Sequence, residues 1–214
     1  EKFIFNGSKL TYPSAPETIS YKKTVDEQYG LLNSEFHKSL YEHGTGFTHP
    51  DKEELTLDDI FIYPNLRDLS PNNRVSERIS SSRLIDNDLG KKIMLIGEEC
   101  IGKTTLLKKL YLDLVNRKEH PIFINASETN KLKKFDGRRL NKIVQDQYSN
   151  FDLHSLIQEH QNRFVFIDNF DQLSGDEKSK EGFITYIESI FQNVIVSVSD
   201  SFDFSHADFL GTRI

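Results

Sequence analysis

Gly97-Glu98-Glu99-Cys100-Ile101-Gly102-Lys103-Thr104-Thr105 decides the reading of this chain. Its spacing is G-x-x-x-x-G-K-T, a phosphate-binding loop pattern. The flanks supply the context that the pattern needs: Lys91 to Ile96 is a short apolar run, and Leu106 to Tyr111 follows with helical spacing. Glycines at 97 and 102 open backbone angles closed to other residues, so successive N–H groups, those of Cys100 and Ile101 included, can turn inward around an anion. The helix beginning near Lys103 aims its unpaired N–H groups and its dipole at the same point. Lys103 adds a full charge toward β- and γ-phosphates, and the Thr104 hydroxyl is placed to ligate Mg²⁺. Thr105 starts the helix. The candidate nucleotide-binding set is therefore Gly97, Cys100, Ile101, Gly102, Lys103, Thr104 and Thr105, with Thr104 also a candidate metal ligand.

At 214 residues and 36% hydrophobic composition, the chain can bury one α/β core with a smaller appendage. A net charge of −6 and a pI of about 5.7 give no overall support for a basic face, which makes nucleic acid an unexpected partner, although a local patch is compatible with them. The single cysteine, Cys100, excludes an internal disulfide and fits a reducing, cytoplasmic setting. No run approaches the roughly 18 apolar residues of a membrane span, so no membrane association is expected. The chain begins at Glu1 and stops shortly after its fourth strong apolar run. It reads as a piece of a larger protein.

Three segments follow from pattern. Residues 1–57 form an N-terminal extension or linker, with a short hairpin around Asn6-Gly7 and one or two amphipathic helices across Thr18 to Tyr41, where Val25, Tyr29, Leu32, Phe36 and Leu40 recur at helical spacing. The glycine and histidine residues at 43–50 read as a turn. Residues 58–90 precede the loop: Asp59 to Leu66 is extended and aromatic, and Ser70 to Gly90 is polar, a linker ending in a short helix or turn. Residues 91–214 are the core. There the apolar runs Ile93–Gly97, Pro121–Ala126, Phe164–Phe170 and Val194–Val198 alternate with helical stretches at Lys103–Arg117, Arg139–Gln161 (broken near Asn150) and Glu177–Phe191. Such alternation predicts a three-layer α/β fold around a parallel sheet with right-handed crossovers.

After a phosphate loop, a Mg²⁺ site needs an acid at the carboxyl end of a neighbouring apolar strand. Phe164-Val165-Phe166-Ile167-Asp168 supplies one, making Asp168 the second metal candidate. Asp168-Asn169-Phe170-Asp171-Gln172 resembles the D-G-x-D-E second motif of STAND-class P-loop NTPases, NACHT-like members in particular. The G-E-x-x-G-K-T-T-L-L loop and the upstream Asp59 to Leu66 are similar to theirs too.

That resemblance covers about residues 58–200 and implies ATP or ADP with Mg²⁺ as cofactors. It gives Asp168 and Asp171 catalytic roles, with Asp171 as general base because Gln172 stands where many relatives have Glu. Asn169 replaces a small glycine. Ser197 or Ser199 stands where relatives carry a sensor that bonds the γ-phosphate. Phe61, Tyr63 and Pro64 take either a place near the base or a packing role on the domain edge. The family implies a signalling switch that forms homo-oligomers on activation, with effector and sensor domains in the same polypeptide and roles in bacterial defence against phage. Two other readings are open: a nucleotide-gated scaffold with little hydrolysis, and an AAA-type ATPase acting on nucleic acid.

Overall fold

The computed structural model describes residues 32–41, 55–69, 78–86, 92–128, 135–203 and the backbone of 212–213. The hairpin expected near Asn6, the helical pattern before Leu32 and the turn at 43–50 lie outside these residues. Leu32 forms an isolated bridge with Tyr148, and the helix α1 begins only at Ser34 (Ser34–Tyr41). The Asn33 side chain caps it, accepting from Glu35 N–H at 3.0 Å, so the helical spacing of Leu32 does not make it helical.

Next comes one helical turn, α2 (Leu57–Ile60), where extended chain was expected. Asp59 turns back to accept from both the N–H and the hydroxyl of Thr56, each at 2.9 Å, and that local bonding bends the segment. Strands β1 (Asn65–Arg67) and β2 (Arg78–Ser80) pair antiparallel, and a 3-10 helix (Ser81–Ile85) follows. Part of the stretch read as linker thus forms a strand. Leu57, Leu84 and Ile85 join the same buried cluster as the sheet.

The core is the expected three-layer α/β fold. In chain order it runs β3 (Lys92–Gly97), α3 (Lys103–Asn116), β4 (Ile122–Asn125), α4 (Gly137–Gln147), α5 (Leu153–Glu159), β5 (Phe164–Asp168), α6 (Glu177–Glu188), β6 (Asn193–Ser199) and β7 (Thr212–Arg213). The strands are parallel and lie in the order β4-β5-β6-β3-β7. β7, two residues on the far side of β3, went unanticipated. Every residue of β5 and β6 is buried, which requires cover on both faces. Because β3 leads leftward to β4 while β5 leads rightward to β6, right-handed crossovers put α3 and α6 on opposite faces. The register aligns Gly97 with Ser199 and Asn125 with Asp168, bringing these residues to one carboxyl edge.

Edge strand β4 is closed by a side chain. Gln147, buried at the end of α4, accepts from Phe123 N–H at 3.0 Å and donates to Phe123 C=O at 2.5 Å, as a neighbouring strand would. Beside it, Tyr111 donates to Tyr148 Oη (2.8 Å), which donates to Pro121 C=O (2.7 Å). Burial raises both phenol pKa values well above the usual range, so both stay protonated donors.

His120 stacks on Phe151 with ring centroids 4.9 Å apart, and His160 lies 4.2 Å away. Burial, then the neighbouring His160, brings its pKa down to about 4. In the unfolded chain an imidazole titrates near about 6.5. Between those values the unfolded state binds a proton that the fold refuses, so stability that is complete above about pH 6.5 is lost as pH falls toward 4. We expect the thermal midpoint to drop across that window and His120→Phe to flatten the drop. An unchanged pH profile in the variant, measured by circular dichroism, would refute this.

Candidate phosphate-binding site

The loop between β3 and α3 is built on a left-handed turn. Gly102 has φ +98° and its carbonyl accepts the first helical bond, from Leu106 N–H at 2.9 Å. A Cβ at Gly102 would meet nothing, so glycine is required there by backbone conformation alone. At Gly97 a Cβ would come 3.2 Å from Ile101 Cγ2, a tight contact that the exposed Ile101 side chain would have to shift to relieve. Cys100 holds φ +61° without being glycine, a costly conformation of the sort kept at ligand-binding loops.

A cleft of about 370 Å³ opens on this loop, lined by Glu99, Cys100, Gly102, Lys103, Thr104, Thr105, Asn169, Asp171, Gln172 and Ser199. The fold thus brings together most of the residues marked in sequence. Gly97 and Ile101 are not in the lining: Gly97 is the last residue of β3, and Ile101 is 66% exposed. Lys103 Nζ donates to the carbonyls of Gly97 (2.6 Å) and Glu98 (2.7 Å), so the ammonium is folded onto its own loop.

Across the sheet, Thr104 Oγ1 donates to Asp168 Oδ2 at 2.7 Å. Two hard oxygen ligands, 64 residues apart in sequence, therefore meet at the mouth of the loop. That pair fits Mg²⁺, which takes oxygen donors and keeps several waters. Asp168 is 1% exposed, and its other oxygen accepts from Ser197 Oγ at 2.5 Å. Ser197 also accepts from Asn169 N–H at 2.9 Å. Ser197 is fully buried, so it orients the acid and does not face the cleft; Ser199 is the serine that does. No single-sequence signal distinguished the two.

Asn169 has φ +54°, a region that glycine enters freely and that asparagine tolerates better than most residues. That conformation swings the following 3-10 turn (Phe170–Gln172) so that Asp171 faces the cleft, with its Oδ1 accepting from Ser199 N–H at 3.2 Å. Asp171 is thereby fixed to the end of β6.

Phe61, Tyr63 and Pro64 are absent from the lining. Tyr63 instead bonds Asp113, which sits nine residues beyond Thr104, about 14 Å along α3. Lys109 joins Asp113 (2.6 Å) to Asp58 (2.8 Å) and lies 5.6 Å from the Tyr63 ring centre. Burial, then the Asp113 carboxylate, pushes the Tyr63 hydroxyl up to about 12. Burial alone would lower the Lys109 pKa, but its two carboxylate partners more than offset this and raise it. Of the two roles left open for these aromatics, packing on the domain edge is the one the geometry carries.

No helix among the described residues is long and apolar enough to cross a membrane. No family model matches the chain, and no curated protein does. Among solved structures it is similar to AMPPCP-bound DnaA from Aquifex aeolicus, with 14% identity, a TM-score of 0.43, and coverage of 78% of this chain and 50% of that one. It is also similar to the RuvB Holliday junction branch migration motor of Thermotoga maritima, with 14% identity, a TM-score of 0.32, and coverage of 61% and 36%. A protein from Neisseria meningitidis solved in solution has 13% identity, a TM-score of 0.33, and coverage of 79% and 92%. The chain spans half the length of the DnaA chain and about a third of the RuvB chain. Identities this low carry no chemistry across. On its own geometry, a strand, glycine loop and helix feeding a parallel three-layer sheet, with an acid brought to the loop from a neighbouring strand, the chain has the P-loop NTPase fold.

Proposed function

We propose that this chain binds ATP or ADP with Mg²⁺ and is the NTPase switch module of a STAND or NACHT-like signalling protein. The observation that carries the reading is the 2.7 Å contact of Thr104 with Asp168 at the mouth of a glycine loop. Lys103 and the first turn of α3 would hold the phosphates; Thr104 and Asp168 would hold the metal ion. When bound, the ion supplies charge that stabilises phosphoryl transfer. Asp171, held at the cleft by Ser199, takes the proton of an attacking water.

In this reading ATP favours a self-associating state and hydrolysis resets it, with effector and sensor domains in the same cytoplasmic polypeptide and a role in bacterial defence. Residues 1–57 are the extension toward the effector, 58–90 the segment before the loop and 91–214 the NTPase core. ATP in preference to GTP comes from the family resemblance.

A second reading, a nucleotide-gated scaffold with little turnover, draws on Gln172: an amide lines the cleft at the position where a glutamate would be the better base. Steady-state phosphate release separates the two. We expect multiple turnovers that fall at least about 100-fold in Asp171→Asn, the size typical of a lost acid–base group. A wild-type protein that binds nucleotide without turning over would favour the scaffold, and full activity in the variant would remove Asp171 from the mechanism.

A further inference from the structure

Thr104 faces two clefts. Lys103 and the loop residues Cys100 and Gly102 line the first, while the second, of about 650 Å³, opens toward β4 and α4 through Phe123, Asn125 and Gln147. Asp168, the partner of Thr104, lines the second cleft. Three cations (Lys108, Arg139, Lys142) and three acids (Glu128, Asp146, Asp168) are present there, so the cleft as a whole favours neither sign of charge. Local placement decides what its groups can do.

The sheet brings Glu128 close to Asp168. Register pairs Asn125 with Asp168 on the parallel strands β4 and β5, and Ala126 N–H donates to the Asp168 carbonyl at 2.9 Å, so the chain leaving β4 is tied to the end of β5. Aligned residues of neighbouring strands project from the same face, about 4.8 Å apart. Asp168 reaches Thr104 on α3 from that face, which puts the Asn125 side chain there too. Its amide is locked in place. Oδ1 accepts from Ser127 N–H (3.2 Å) and Ser127 Oγ (2.8 Å), which turns Nδ2 to donate to Glu128 Oε1 at 2.9 Å. A carboxylate has roughly four acceptor sites, and this contact uses one.

We propose that Glu128, held by Asn125, is a positioning residue for Mg²⁺ that accepts hydrogen bonds from the ion's hydration shell on the side of the second cleft; the role rests on the Mg²⁺–nucleotide reading given above. Thr104 and Asp168 would supply one oxygen each to an ion that demands octahedral coordination and keeps several waters. Those waters need acceptors. An outer-shell carboxylate orients them and adds negative charge near the ion, which raises its affinity. Asp171 stands elsewhere, lining the first cleft and bonded to Ser199 N–H. The two acids thus divide the work: Asp171 beside the phosphate loop and Glu128 beside the metal pair.

The test compares wild type with Glu128→Gln, a change of charge at an exposed side chain. Mn²⁺ binding to the ADP complex is followed by electron paramagnetic resonance, and binding of labelled ADP is titrated at rising Mg²⁺. Half-saturation by either ion is expected to need at least about tenfold more metal in the variant, the size typical of a lost outer-shell partner, with ADP affinity in the absence of metal unchanged. Asn125→Ala should shift half-saturation in the same direction, and the double variant no further than Glu128→Gln, because Asn125 acts through Glu128. Turnover in Glu128→Gln should recover as Mg²⁺ saturates. Unchanged metal half-saturation in Glu128→Gln would overturn the role, while loss of the Mg²⁺ effect in Asp168→Asn would still uphold the nucleotide reading. A folded wild type that binds no ADP at any Mg²⁺ concentration would remove both. Equal loss of ADP affinity with and without metal would assign Glu128 to the nucleotide, and a turnover defect that persists at saturating Mg²⁺ would make it the proton acceptor; either result overturns the positioning role.

Discussion

Lys103→Ala is expected to weaken Mg²⁺–nucleotide binding at least 100-fold, about 3 kcal/mol, while the protein stays folded. The side chain makes its hydrogen bonds to the Gly97 and Glu98 carbonyls at the rim of the loop, where water can replace it. Lys103 is not a member of the hydrophobic cluster. Phosphates, by contrast, would lose their full cationic partner among the residues of the cleft, where Glu99 and Asp171 are both acidic. A charge-assisted contact of this kind is about twice as strong as a neutral one. Titration with labelled ATP and ADP, with and without Mg²⁺, beside a thermal melt of each protein, gives the answer. Wild-type affinity in the variant would remove the loop from nucleotide binding.

Asp168→Asn is the second large effect. Asparagine keeps the shape and can still accept from Ser197, while Thr104 can reverse its hydroxyl to accept from the new amide, so little stability should be lost. The charge is what disappears. We expect Mg²⁺ to cease improving nucleotide affinity and turnover to fall at least about 100-fold, roughly 2.7 kcal/mol in the barrier. Calorimetric titration of nucleotide at several Mg²⁺ concentrations checks it; a variant with intact Mg²⁺ dependence would show that the ion is held elsewhere. Because Asp168 is buried and bonded through both oxygens, Asp168→Ala would mix this effect with the cost of stranding Ser197 and is the poorer experiment.

Sequence alone determined the loop, the parallel α/β core and the pairing of Thr104 with Asp168. Those features are written locally: glycines where a left-handed turn is needed, apolar runs of strand length, and an acid at the end of one of them. Tertiary structure decided the rest. Strand β2 lies in a polar stretch whose pairing with β1 no period reveals, and β7 is two residues long, so neither had a pattern to read. Gln147 carries no signal in the sequence, and only the fold sets it against the open edge of β4. Tyr63 could have faced a base or a helix, and the Asp113 side chain on α3 chose the helix. The role of Ser197 depended on which strand lies next to β5: strand order, which is set by crossovers and packing over the whole sheet, put its hydroxyl on Asp168 and left Ser199 to face the cleft. Local chemistry names the groups that can act, and long-range packing determines which of them meet.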